Sequence, residues 1–308
     1  MITQNLEQKA AELRLQILLT ALKAGKGHVP PAFSWVEIGV ALFYGGHLNI
    51  RPHEPQWEGR DRFILSKGHG CLTLYAIMAD LGFFPKTELE NFCSPGSLLA
   101  GHPDTNIPGV EGISGSLGHG LGVSAGLALG AKLYSSPWNV VTVLGDGECQ
   151  EGSVWEAAMF ASHHRLNNLM AILDRNGLGA TNYTEQSTAL EPLVDKWNAF
   201  GWEVMKIDGH SFHELHAAMT AFRQRTFLKP LMVVAQTVKG KGVSFMEGSV
   251  DWHHRMPKGK EVDEALQELK QAHSLPGFSA NTGDGSWLMI FVMRHFTRYF
   301  KWSQGIRA

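Results

Sequence analysis

The sequence predicts an α/β protein whose parallel sheet is covered by helices on both faces. Three observations carry that expectation. Short apolar runs at 62–65, 140–144, 169–173, 202–207 and 231–236 are separated by stretches of helical periodicity. Strands alternating with helices make βαβ units, and near-continuous apolar strands are buried on both faces. Of the 308 residues, 44% are apolar and 18% charged, which suffices for a sizeable core and excludes general disorder.

Along the chain, residues 3–24 read as an amphipathic helix with Leu6, Ala10, Leu13, Ile17 and Leu18 on one face. Gly25 to Pro31 is expected to break it, with Ser34 capping a helix that ends near Tyr44. After a turn-rich stretch comes the strand Arg62 to Leu65, then a tight loop over 66–70 that opens a helix to Leu81. Residues 91–118 are irregular and rich in Gly and Pro, a loop length that is usually functional. A small-residue helix is expected over 119–134, and helices near 150–164, 190–199 and 211–223 separate the later strands. Residues 1–275 read as one domain. Composition shifts near Gly283, so 276–308 reads as a C-terminal extension, dispensable, partner-docking or membrane-surface in that order.

A net charge of −2 leaves no broad basic field, so nucleic acid is not expected as a partner. The apolar run Trp287 to Met293 is too short to span a bilayer. The start, MITQNLEQKAAELRLQIL, is charged and amphipathic, unlike a signal peptide, and the expected compartment is the cytoplasm. Cys71, Cys93 and Cys149 form no C-x-x-C pair. The 34 glycines and 15 histidines are many for this length; glycine lets backbone approach a ligand, and imidazole moves protons near neutral pH.

In a parallel sheet, ligands bind beyond the carboxyl ends of the strands. VVTVLGDGECQEG puts Asp146 where one strand stops and a helix is expected to begin, and LMAILDRNGLGATN puts Asn176 just past the next strand. A carboxylate and an amide oxygen from neighbouring strand ends suit Mg²⁺, which completes its octahedron with phosphate and water. Gly147 leaves room for a phosphate beside helical N–H groups. GDG alone is a common turn; GDG followed thirty residues later by such an Asn is far more specific.

GDGECQEG through DRNGLGATN resembles the thiamine diphosphate fingerprint in its transketolase form. GKGH at 25–28, RDRFILSKGHG at 60–70, AGHPDTNIPGVEGISGSLGHGLG at 100–122 and TVKGKGVSFMEGSVDWHH at 237–254 are similar to the same family. The resemblance runs from about residue 5 to 275, and is to the amino-terminal, diphosphate-binding subunit of split transketolases. It implies a thiamine-diphosphate-binding fold in which Asp146, Asn176 and the backbone carbonyl of Leu178 coordinate Mg²⁺. Gly147 would bind the diphosphate, helped by His69 and His253, while Gly115, Ser116 and Leu117 line the thiazolium ring. His28, His69, His102 and His253 would surround the substrate oxygens, whereas His213 and His216 read as structural.

The resemblance also implies ketol transfer between sugar phosphates. It further implies that this chain is inactive alone, because the activating glutamate and the phosphate-binding arginines belong to the pyrimidine-binding half. A carboxy-terminal transketolase subunit is thus the expected partner, in a heterotetramer. Three departures stand out: VPPAFS after His28, His119 where many members have Gln, and His254 where Gly often follows the histidine.

Other readings compete. Gly122-Val-Ser124-Ala-Gly126 matches the hydrolase G-x-S-x-G, but lies in a helical run of small residues without the strand that a nucleophile elbow needs. The dinucleotide-binding G-x-G-x-x-G is absent. Within thiamine chemistry, a pyruvate-using synthase related to 1-deoxyxylulose-5-phosphate synthase and a non-catalytic scaffold are the alternatives.

Overall fold

The computed structural model describes residues 2–273, with side chains from residue 5; the extension at 276–308 lies outside the described residues. The strands are β1 (Arg62–Leu65), β2 (Val140–Gly145), β3 (Leu169–Arg175), β4 (Glu203–Asp208) and β5 (Leu231–Gln236). They form one sheet in the order β1-β2-β3-β5-β4, with every pairing parallel. The helices are α1 (Ile2–Ala24), α2 (Val29–Phe33), α3 (Val36–Tyr44), α4 (Cys71–Leu81), α5 (Gly120–Leu133), α6 (Gly152–His163), α7 (Thr184–Ser187), α8 (Leu193–Ala199), α9 (Phe212–Arg223) and α10 (Lys260–His273).

Strand alternation divides the core into two layers. Val140 and Leu144 of β2, Leu169, Ala171 and Leu173 of β3, and Met232 and Val234 of β5 pack with α5, α6 and α8. The other layer is built from α1, α3, α4, α9 and α10, with α1 touching each of the others. A buried fork-to-fork pair joins α1 to α3: Arg14 donates to both oxygens of Glu37, at 2.6 and 2.7 Å.

The element boundaries near residue 30 differ from the sequence expectation. The first helix does end at Ala24, but the break spans only 25–28: Pro30 and Pro31 lie in the first turn of α2, where a missing N–H costs nothing. Ser34 is consequently not an N-cap; it closes α2, and its hydroxyl donates to Asp174 while lying 3.0 Å from Pro31 O. The helix expected straight after Gly147 is instead a short 3₁₀ turn, Gly147–Gln150, with α6 starting at Gly152. Ser124 is buried inside α5 and donates to Gly120 O at 2.7 Å, so the G-x-S-x-G match is helix packing rather than a nucleophile elbow.

Candidate active site

Beyond the carboxyl ends of β1, β2, β3 and β5, the chain turns into residues that meet in one place. Its floor is built on two consecutive residues after β1. Ser66 donates to the buried carboxylate of Glu148 after β2, and Lys67 donates to Asp174 at the end of β3. Lys67 also reaches Pro31 O (2.9 Å) and Ser34 Oγ (3.1 Å), while Asp174 accepts from the hydroxyls of Ser34 and Thr237. Lys67 and Asp174 are 1% and 0% exposed. Burial opposes ionisation of Asp174, but the Lys67 ammonium overrides it and holds the carboxyl below its usual range. Lys67→Met should therefore leave an uncompensated buried charge and lower unfolding stability by roughly 3–5 kcal/mol. Urea unfolding tests this; a change below about 1 kcal/mol, the range of surface substitutions, would refute a fully formed pair.

Asp146 follows β2 and is 2% exposed. Its Oδ1 accepts from Gly147 N at 2.7 Å, and its Oδ2 from Gly177 N at 2.6 Å. In the same turn Asn176 Oδ1 accepts from Leu178 N at 3.1 Å, and Leu178 O accepts from Lys239 at 3.2 Å. Burial, and then the neighbouring Asp174, raise the Asp146 pKa. A carboxylate, an amide oxygen and a main-chain carbonyl thus stand in one linked unit, an all-oxygen donor set that fits a hard divalent cation.

The loop expected beside the thiazolium ring is pressed onto the start of α4. A Cβ on Gly68 would lie 2.6 Å from Ser114 Oγ, 2.9 Å from Gly115 N and 3.1 Å from the His102 ring. Gly115 has φ +134°, which L side chains rarely adopt. Ser116 is exposed, Leu117 is half-buried, and Gly118 N donates to Glu148 at 2.9 Å, fixing the loop to the end of β2. Among the described residues, Ser114 Oγ is buried without a hydrogen-bond partner.

Over this floor the four expected histidines converge. His28 precedes α2, His69 lies in the turn before α4, His102 is in the long loop and His253 follows a short turn after β5. From the His28 ring centroid, His69 lies 6.1 Å, His102 6.2 Å and His253 5.7 Å away. His254 joins them, 4.7 Å from His28. Burial pushes His28 down to about 4, aided by His254, and pushes His253 down to about 3, aided by Lys239. Burial and Lys67 lower His69 strongly, and burial lowers His102. These four rings are neutral at pH 7, able to donate at one nitrogen and accept at the other. His216, by contrast, bonds His47 at 2.9 Å on α9.

Sequence reasoning assigns no role to Lys67, Lys239 or Arg175. Lys239 is buried and donates to Gly179 O (2.8 Å) and His253 Nδ1 (2.7 Å); burial, with Lys67, lowers its pKa to about 8. Arg175 lies 3.2 Å from Asp146 Oδ2 and also holds Thr184, Glu185 and Glu191. The two lysines belong to the SKGHG and TVKGKG segments, where a cation among glycines is the available signal.

The parallel sheet, the oxygen donor set and the glycine-rich loops fit an α/β domain that holds a diphosphate and a divalent cation beyond its strand ends. Residues 7–276 match the family described as "Transketolase, thiamine diphosphate binding domain", and the chain belongs to the transketolase family. It is 36% identical over 273 residues to a subunit of the apulose-4-phosphate transketolase of Phocaeicola vulgatus, covering 88% of this chain and 96% of that protein. It is 40% identical over 268 residues to the 6-deoxy-6-sulfo-D-fructose transketolase subunit SqwG of Clostridium sp., covering 87% and 97%. Human transketolase is 36% identical over 267 residues, but the match spans 86% of this chain and only 42% of the human protein. The solved transketolase of Campylobacter jejuni superposes with a TM-score of 0.81 at 29% identity, covering 97% of this chain and 48% of its own. The chain therefore corresponds to the amino-terminal subunit of a split transketolase and spans about half of the solved transketolase chains.

Proposed function

We propose that this chain binds thiamine diphosphate through Mg²⁺ and, joined to a carboxy-terminal transketolase subunit, transfers a two-carbon ketol unit from an anionic ketose to an aldose phosphate in the cytoplasm. The observation that carries the reading is the meeting of His28, His69, His102 and His253, from four separate segments, over the linked Asp146–Leu178 unit. Asp146, Asn176 and Leu178 O would hold the cation; Gly147, His69 and His253 would face the diphosphate; Gly115, Ser116 and Leu117 would line the thiazolium ring.

Thiamine diphosphate supplies the electron sink that no side chain offers for breaking a C–C bond beside a carbonyl. This chain's own residues move the sugar's protons and position it. His28 and His102, neutral at pH 7, accept a proton from a sugar hydroxyl and return one to the acceptor carbonyl oxygen. Their separate loops orient the sugar, and the closed floor of Ser66, Lys67, Glu148 and Asp174 keeps water from beneath it. The related subunits are named for an apulose phosphate and a sulfofructose, which supports an anionic ketose as the substrate class. Calorimetric titration with thiamine diphosphate and Mg²⁺, followed by a ketol-transfer assay with the partner present, tests the proposal. Failure of either would overturn it.

The surface of α5 and α6 supports the choice of partner. Val123, Met159 and Phe160 are 47%, 55% and 40% exposed, and a Cβ on Gly122 or Gly126 would meet nothing within 4 Å. Apolar side chains beside bare backbone suit close packing by another subunit. We expect mixing with the carboxy-terminal subunit to give a complex of two copies each by light scattering. A fully active monomer of this chain would refute the assembly.

A further inference from the structure

The turn after β5 sends two consecutive imidazoles into the same space, and only the first is accounted for by the ketol-transfer reading. His253 has helical backbone angles, φ −55° and ψ −45°. Consecutive side chains on such a backbone diverge by roughly 100° rather than pointing to opposite sides, so both can face one pocket. His254 accordingly lies 4.5 Å from His253 and 4.7 Å from His28, ring to ring. Nitrogen atoms of these three residues lie within 4.8 Å of one another.

His254 is exposed whereas His253 is buried, so its ring stands at the rim and not in the floor. The residues that flank it are anchored. Trp252 is buried against Phe245 at 4.9 Å, Lys239 holds His253, and Arg255 stacks over Trp252 at 4.2 Å while pairing with Glu261. Among the described residues, the His254 ring nitrogens have no hydrogen-bond partner. A held ring with unused hydrogen-bonding groups, facing the same space as His28, is placed to meet a ligand. His119, the other unusual histidine, precedes α5 without a side-chain bond to it and takes part in none of these ring contacts.

Resting on the ketol-transfer reading, we propose that His254 is a specificity-determining residue that hydrogen-bonds a hydroxyl of the ketose chain beside His28 and His253. It acts on which sugar is held and leaves the bond-breaking step to the deeper rings. A hydrogen bond made equally to bound substrate and transition state alters KM rather than kcat.

The test compares His254→Gly with His254→Asn in the assembled complex, using ketose phosphates of different chain length. For the preferred ketose, the glycine variant should raise KM about tenfold with kcat within about twofold. The asparagine variant, which keeps a donor, should recover most of that loss. Thiamine diphosphate binding should be unchanged in both variants. Sugar binding is measured by calorimetry on the same complexes, so a wild-type complex that binds sugar without turnover would fail the reaction and still reveal the contrast at His254. Equal affinities of wild type and His254→Gly for every ketose would overturn the proposal, as would loss of cofactor binding.

Discussion

Asp146→Ala is expected to abolish binding of thiamine diphosphate with Mg²⁺ to this chain. The carboxylate is the anionic member of the proposed donor set, and it also organises the site before any ion arrives. It accepts from Gly147 N and Gly177 N, thereby tying the end of β2 to the turn that presents Asn176 and the Leu178 carbonyl. Alanine removes both functions and leaves Arg175 without one of its carboxylates. Removing a buried charged partner costs several kcal/mol, so affinity should fall at least about 100-fold. Titration calorimetry with Mg²⁺ and thiamine diphosphate reads this directly, and circular dichroism checks that the fold survives. Wild-type affinity in the variant would remove Asp146 from the metal site.

Substitution of His28 or His102 by alanine should spare the cofactor and depress turnover. Neither ring hydrogen-bonds Asp146, Asn176 or Leu178 among the described residues, and both are neutral at pH 7 because burial disfavours the imidazolium. Proton transfer by a positioned side chain contributes roughly 10²–10⁴-fold, so ketol transfer should drop within that range for each variant. Thiamine diphosphate affinity, measured in parallel, should change by less than about threefold, since a group facing substrate contributes little to cofactor binding. Near-normal turnover in both variants would mean that the rings only fill space.

Much of this architecture is legible in the sequence for a physical reason. Strands buried on both faces are apolar along most of their length, as at 63–65 and 231–235, so β1 and β5 fall where the runs Arg62 to Leu65 and Leu231 to Gln236 predict them. Trp202 is apolar too, but its indole N–H donates to Ala158 O in the α5–α6 layer, and β4 begins one residue later. The helix α10 escapes the sequence reading because charged residues dominate it, although Val262, Ala265, Leu266 and Leu269 recur on one buried face.

The candidate site divides in the same way. Asp146 and Asn176 are readable because each sits at a strand end within a local motif. The distances among His28, His69, His102 and His253 are set by the convergence of loops far apart in the chain, which no local pattern encodes. The roles of Lys67 and Arg175 depend likewise on partners that only the fold supplies, Asp174 for one and Asp146 for the other.

Ser66 and Lys67 join three strand ends, so the support beneath the reacting groups is also part of what holds the sheet together. A change there alters chemistry and folding at once, which leaves little freedom to adjust either alone. The rim carries no such double duty. His254 is exposed, and its neighbours keep their own anchors whatever residue stands between them. A lineage built on this scaffold can therefore change its sugar by substitutions at the rim while the deep part of the pocket stays as it is.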